Sequence, residues 1–205
     1  MRLGVTFSSR PMEKADILNI LRANKTVFSF KEIFLASKEK NPALLRRRIN
    51  YYIKQGELYP IRRGFYAKDK NYDKFELVTK IYTPASISFE TVLAQAGIIF
   101  QFYGQIFAAS YLTREITADG QVYSYKKIKD SILTNHLGIE AKENYFIASP
   151  ERAFLDTIYL SRNYYFDNLS ELNWDKVFET VSIYSNKRIE KKVKEYYNDF
   201  KHRNP

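Results

Sequence analysis

Within the first third of the chain, hydrophobic positions recur at helical spacing in three places. Ile17, Leu18, Ile20 and Leu21 give an apolar stripe between Met12 and Leu21, and Lys25-Thr26 breaks it. Phe30, Ile33 and Phe34 form a second, shorter face behind Ser29, a residue suited to cap it, with Lys31 and Glu32 pointing outward. Asn41-Pro42 is a cap and first-turn pair that opens a third helix running to Gln55, where Gly56 stops it. On this helix Leu45, Ile49, Tyr52 and Ile53 follow the i, i+4, i+7, i+8 pattern and predict a buried stripe. Glu57 to Ala67 then reads as two short extended runs around Arg62-Arg63-Gly64. Three helices followed at once by a two-stranded ribbon predict a winged helix-turn-helix over residues 1–70.

Beyond a polar link near Asp69 to Asp73 the pattern changes. Phe75 to Ile81 reads as a helix ended by Pro84, and a helix capped by Ser88 is expected to run to about Ala96. Ile106 to Leu112, Thr113 to Thr117 and Val122 to Ile128 read as strands, the last two joined by an Asp119-Gly120 hairpin turn. Tyr145 to Ala148 is a further short strand, and Ser149-Pro150-Glu151 supplies a cap, a first-turn proline and an acid for a helix to about Leu160. Trp174 to Tyr184 and Arg188 to Lys201 close the chain as helices. The expected fold class is α+β, an N-terminal winged helix-turn-helix (1–70) followed by a mixed α+β domain (74–205).

Charge separates the same two regions. Residues 1–70 hold 16 Lys and Arg against 6 Asp and Glu, residues 71–186 hold 10 against 14, and residues 187–205 hold 7 against 3. The net excess of +10 is therefore matched by the first region alone, which points to a polyanion as its partner, and nucleic acid is the commonest one. Cysteine is absent, which excludes disulfides, thiolate metal sites and a cysteine nucleophile. No signal peptide is visible, and the most apolar stretch, Ala94 to Leu112, is interrupted by polar residues and glycines. The expectation is a cytoplasmic protein with no membrane contact.

The third helix carries the best candidate chemistry. Arg46, Arg47, Asn50, Tyr51 and Lys54 lie on the arc opposite its apolar stripe, and these are the side-chain types that bond guanine edges, adenine edges and phosphates. Arg62 and Arg63 at the ribbon tip are placed for the flanking backbone or minor groove. No enzyme activity, cofactor or metal is expected. His136 and His202 are the only histidines, there is no phosphate-binding glycine loop, and Glu151 and Asp156 lie five apart on one helix, on different faces. The basic run Lys187, Arg188, Lys191, Lys192 and Lys194 reads as a solvated helix face or a second polyanion contact. Two other readings stay open. One is a nucleic-acid-processing enzyme with Asp119, Glu151 and Asp156 as metal ligands. The other is a protein-docking module.

Several of these segments resemble the AbiEi antitoxins of bacterial abortive-infection, type IV toxin–antitoxin systems. They are Leu44 to Ile49, the ribbon Gly56 to Ala67, Pro84 to Leu93 with Gly97-Ile98-Ile99, and Ser149-Pro150-Glu151-Arg152-Ala153-Phe154-Leu155-Asp156. The resemblance spans roughly residues 12–165, and the Ser149, Pro150, Glu151, Arg152, Asp156 run is its most specific piece. It implies a two-role protein. The N-terminal domain represses its own operon by binding promoter repeats in double-stranded DNA. The C-terminal domain counteracts a co-encoded nucleotidyltransferase toxin without a tight complex.

Overall fold

The computed structural model describes residues 22–203. The expected helix from Met12 to Leu21 lies outside them. The chain divides into two compact units between Tyr72 and Asp73, and its architecture is mixed α+β with two sheets among the described residues.

The first unit opens with β1 (Val27–Ser29), which leads directly into α1 (Phe30–Ala36) and α2 (Pro42–Lys54), followed by β2 (Tyr59–Arg62) and β3 (Phe65–Ala67). Each helix start has a local cause. Ser29 accepts from Glu32 N at 3.2 Å while the Glu32 carboxylate accepts from Ser29 N at 2.8 Å, a reciprocal capping box. Asn41 accepts from Ala43 N and Leu44 N ahead of Pro42. The strands pair antiparallel in the order β1-β3-β2. Phe28, Ile33, Leu45, Ile49, Tyr52 and Leu58 form the core, with Phe30, Phe34, Ile53 and Tyr66 packed on it. The apolar stripe expected on α2 is thus the buried one.

The second unit is built on a six-stranded sheet of order β6-β7-β5-β4-β9-β8. Its elements are α3 (Lys74–Ile81), β4 (Ala85–Ile87), α4 (Glu90–Gln95), β5 (Gln105–Ser110), β6 (Arg114–Ala118), β7 (Gln121–Lys127), α5 (Asp130–Leu133), β8 (Ile139–Ala141), β9 (Phe146–Ala148), α6 (Pro150–Leu160), α7 (Trp174–Thr180) with a 3-10 turn (Val181–Tyr184), and α8 (Lys187–Arg203). β5 runs parallel to β7, and β4 parallel to β9; the remaining pairs are antiparallel. The β6–β7 hairpin turns at Asp119 and Gly120, both at positive φ, as a two-residue turn of this type demands. α6 packs against α4, α7 and α8. Rings of Phe154, Phe166, Trp174, Tyr196, Tyr197 and Phe200 meet at 4.8–6.0 Å in one cluster.

One expected cap is corrected. Ser88 does not open a helix: β4 precedes it, its side chain is fully buried, and its hydroxyl donates to Asp156 Oδ2 at 2.8 Å. α4 begins at Glu90, behind Phe89, which holds the N-cap position with φ 56 and no side-chain cap. Three elements other than β1 also lay outside the sequence expectations: β4, α5 and β8.

Two glycines separate backbone strain from packing. Gly120 and Gly138 both have positive φ, yet a Cβ on Gly120 meets open space while one on Gly138 falls 2.9 Å from Arg152 Cβ. Alanine at Gly120 is expected to cost about 1 kcal/mol from strain alone, and alanine at Gly138 about 1–3 kcal/mol more from overpacking. Urea unfolding of the two variants reads that difference, and equal costs would remove the packing argument.

Candidate nucleic-acid interface

Packing of Leu45, Ile49 and Tyr52 into the first core fixes the rotation of α2 and leaves Arg46, Arg47, Asn50, Tyr51 and Lys54 exposed on its other side. The ribbon is tied in by Gly64, whose carbonyl accepts from Phe30 N at 2.7 Å. Between helix and ribbon lies a groove of about 650 Å³ lined by Phe30, Arg46, Asn50, Ile53, Pro60, Arg62, Arg63, Gly64 and Tyr66. It gathers four of the seven expected contact residues: Arg46 and Asn50 from α2, Arg62 and Arg63 from the ribbon. Arg47, Tyr51 and Lys54 do not line it. They occupy the outer face of the helix, Tyr51 half-exposed with its ring edge-on to Tyr52 at 5.7 Å.

Sequence reasoning passed over Phe30 as part of this site. The Arg46 guanidinium sits 4.9 Å from the Phe30 ring centroid, a cation–π contact that holds it at the groove wall. Phe30 had been read for the core alone, and its spacing gives no hint of the second role. Arg48, the third member of the Arg46-Arg47-Arg48 run, is drawn away by Glu39 at 3.3 Å. Arg62 Nη1 is buried with no hydrogen-bond partner among the described residues, an arrangement that an incoming anionic oxygen would relieve. Burial pushes the Tyr66 phenol up, with Arg46 acting in the opposite direction, so it lines the groove as a neutral hydroxyl.

The Ser149–Asp156 run is built differently. Ser149 caps α6, accepting from Arg152 N at 3.2 Å, and Pro150 is its first residue. Arg152 is 1 % exposed; its Nε donates to Asp156 Oδ1 (3.2 Å), Nη1 to the carbonyls of Asn135 (3.3 Å) and Leu137 (2.8 Å), and Nη2 to that of Ile132 (2.7 Å). Asp156 also accepts from Tyr184 Oη at 2.6 Å and from Ser88. Complete burial pushes the Asp156 carboxyl up, against the pull of Arg152 and the two hydroxyls, and burial beside Asp156 raises the Tyr184 phenol well above its ordinary value. Glu151, also buried, accepts from Asn173 N at 3.2 Å. These side chains are engaged inside the protein.

Asp119 lies in the β6–β7 turn, while Glu151 and Asp156 serve these separate internal bonds. Among the described residues no three His, Cys, Asp or Glu side chains gather at a possible metal site. His136 and His202 are both exposed. Arg188 donates to the carbonyls of Ile158 and Tyr159 at the end of α6, and Lys187, Lys191 and Lys194 are exposed on α8. Among the described residues no helix is long and apolar enough to cross a membrane. No protein-family model and no curated protein matches the chain.

Truncating one member of a buried, hydrogen-bonded ion pair typically costs about 3–5 kcal/mol, because the other charge is left without its partner. Arg152→Met is therefore expected to lower the unfolding free energy measured in urea by that much, and the double variant Arg152→Met, Asp156→Leu to recover part of the loss. An unchanged midpoint for the single variant would show that the pair carries no structural weight.

Proposed function

We propose that residues 1–70 form a winged helix-turn-helix that binds duplex DNA, and that the protein is a repressor of its own operon and the antitoxin to a co-encoded nucleotidyltransferase toxin. The observation that carries the DNA reading is the groove in which Arg46, Asn50, Arg62 and Arg63, drawn from a helix and a ribbon, face the same space. Arginine bonds guanine edges and phosphates in bidentate fashion, and asparagine does the same for adenine. In this reading α2 enters the major groove and Arg63, on the exposed turn, meets the backbone or minor groove beside it. The charge distribution supports it, since the first 70 residues carry ten more cations than anions.

The repressor and antitoxin roles rest on the resemblance to AbiEi proteins. They assign the promoter repeats of the operon as the DNA and opposition to the toxin, without a tight complex, to residues 74–205. The protein would act in the cytoplasm, where its DNA lies.

Binding of the purified chain to its own upstream region, compared with a scrambled duplex of equal length, tests this reading. The logarithm of the association constant is expected to fall with the logarithm of salt by about 0.9 per phosphate neutralised. Arg46→Ala is expected to cost ~1–3 kcal/mol and to relax sequence preference. Arg48→Ala, whose guanidinium faces Glu39, is expected to leave binding nearly unchanged. Equal affinity for both duplexes at every salt concentration would remove the repressor reading. Co-expression with the neighbouring nucleotidyltransferase separates the second role: Arg46→Ala with Arg63→Ala should lose repression and keep the rescue of growth.

A further inference from the structure

We propose that the second unit carries a binding site for a small carboxylate with an apolar body, in the cavity bordered by α3, the start of β4 and the segment 133–146. The cavity measures about 450 Å³, within the range of roughly 300–1,000 Å³ typical of sites that enclose small molecules. Much of its wall is carbon, from Pro84, Ala85, Leu133, Ile139 and Phe146.

The polar part of the wall is small. Lys80 and His136 are the ionisable side chains among the lining residues, and no carboxylate joins them. Glu76, completely buried, holds Lys80 Nζ at 3.0 Å from behind and so fixes the ammonium at the wall. Three of the four hydroxyls are turned to backbone: Thr79 donates to the Phe75 and Glu76 carbonyls, Thr83 to Thr79 and Thr134 to Asp130. Ser86 is the exception. It is 7 % exposed and lines the cavity, yet its hydroxyl has no hydrogen-bond partner among the described residues. Open to the cavity, this hydroxyl can donate to an acceptor that enters it. The His136 ring, exposed, likewise makes no hydrogen bond among the described residues. A hydroxyl without a partner, the Lys80 ammonium and an imidazole, with no carboxylate in the wall, select an acceptor-rich anionic head; the carbon wall selects an apolar tail.

Occupancy is coupled to the scaffold. Leu133, Thr134 and His136 belong to the segment whose carbonyls at Ile132, Asn135 and Leu137 hold Arg152, so a ligand packed against it stabilises the folded unit. The site is separate from the DNA reading and concerns the other unit.

Titration of the full chain with phenylacetate and hexanoate, and with their uncharged amides, by calorimetry and by thermal unfolding tests the proposal. Both carboxylates are expected to bind saturably and to raise Tm, with the amides about tenfold weaker. Ser86→Ala removes a hydroxyl that bonds nothing in the free protein, so it is expected to weaken carboxylate binding about fivefold or more while leaving the free chain as stable as before. His136→Gln, a second variant that leaves the Lys80–Glu76 pair intact, is expected to weaken carboxylate binding. Equal affinity for acid and amide would overturn the anionic assignment. Absence of saturable binding by either carboxylate, or an unaltered affinity in Ser86→Ala, would overturn the site.

Discussion

The buried guanidinium of Arg152 is the constraint on which the second unit depends. A charge taken out of water is tolerated only where its hydrogen-bonding capacity is met, and here one carboxylate and three main-chain carbonyls meet it. The requirement reaches outward. The carbonyls of Ile132, Asn135 and Leu137 must converge, and the chain at Gly138 approaches so closely that a Cβ there would strike Arg152. Asp156, one turn further along α6, must stay in place, and the hydroxyls of Ser88 and Tyr184 hold it from two other elements. Tyr184 can do so because burial beside a carboxylate keeps its phenol protonated.

The first unit shows the opposite treatment of charge. Lys25 finds Glu32 and Arg48 finds Glu39, but the helix–ribbon groove gathers Arg46, Arg62 and Arg63 without a carboxylate among its lining residues. Clustered like charge opposes folding. Arg46 is even steadied on the Phe30 ring, which fixes where its charge is presented without neutralising it. The unit carries uncompensated cations on its surface, whereas the second encloses a compensated one. The first arrangement leaves charge free for a polyanion.

Features set by a few adjacent residues were legible in the sequence. Asn41-Pro42 and Ser149-Pro150 open helices because cap and first-turn chemistry is local, and Asp119-Gly120 turns a hairpin for the same reason. The buried stripe of α2, and with it the exposed arc, followed from spacing alone. The three-residue strands β1, β4 and β8 were not legible, being too short for alternation to show. β1 exists through β3, nearly forty residues away, and β4 through β5 and β9. Ser88 was misread for a related reason, since a serine two residues before a glutamate resembles a cap until the distant Asp156 is known to claim it. At the groove, the contributions of the helix and of the ribbon arginines could be read, whereas the walls supplied by Phe30 and Pro60 required the fold.

The position of the Ser149–Asp156 run bears on how the second unit should be interrogated. It is the most specific stretch behind the family resemblance, yet Glu151 through Ile158 are all buried, and Ser149, Glu151, Arg152 and Asp156 have their polar atoms engaged within the protein. A motif so disposed preserves a scaffold. Substitutions in it will remove any activity of residues 74–205 by unfolding them, whatever surface performs that activity. The residues that meet a partner or ligand must therefore be sought where the fold leaves side chains accessible or unsatisfied. Ser86, nine-tenths buried with an unbonded hydroxyl at a cavity wall, meets that requirement, and Arg152 does not.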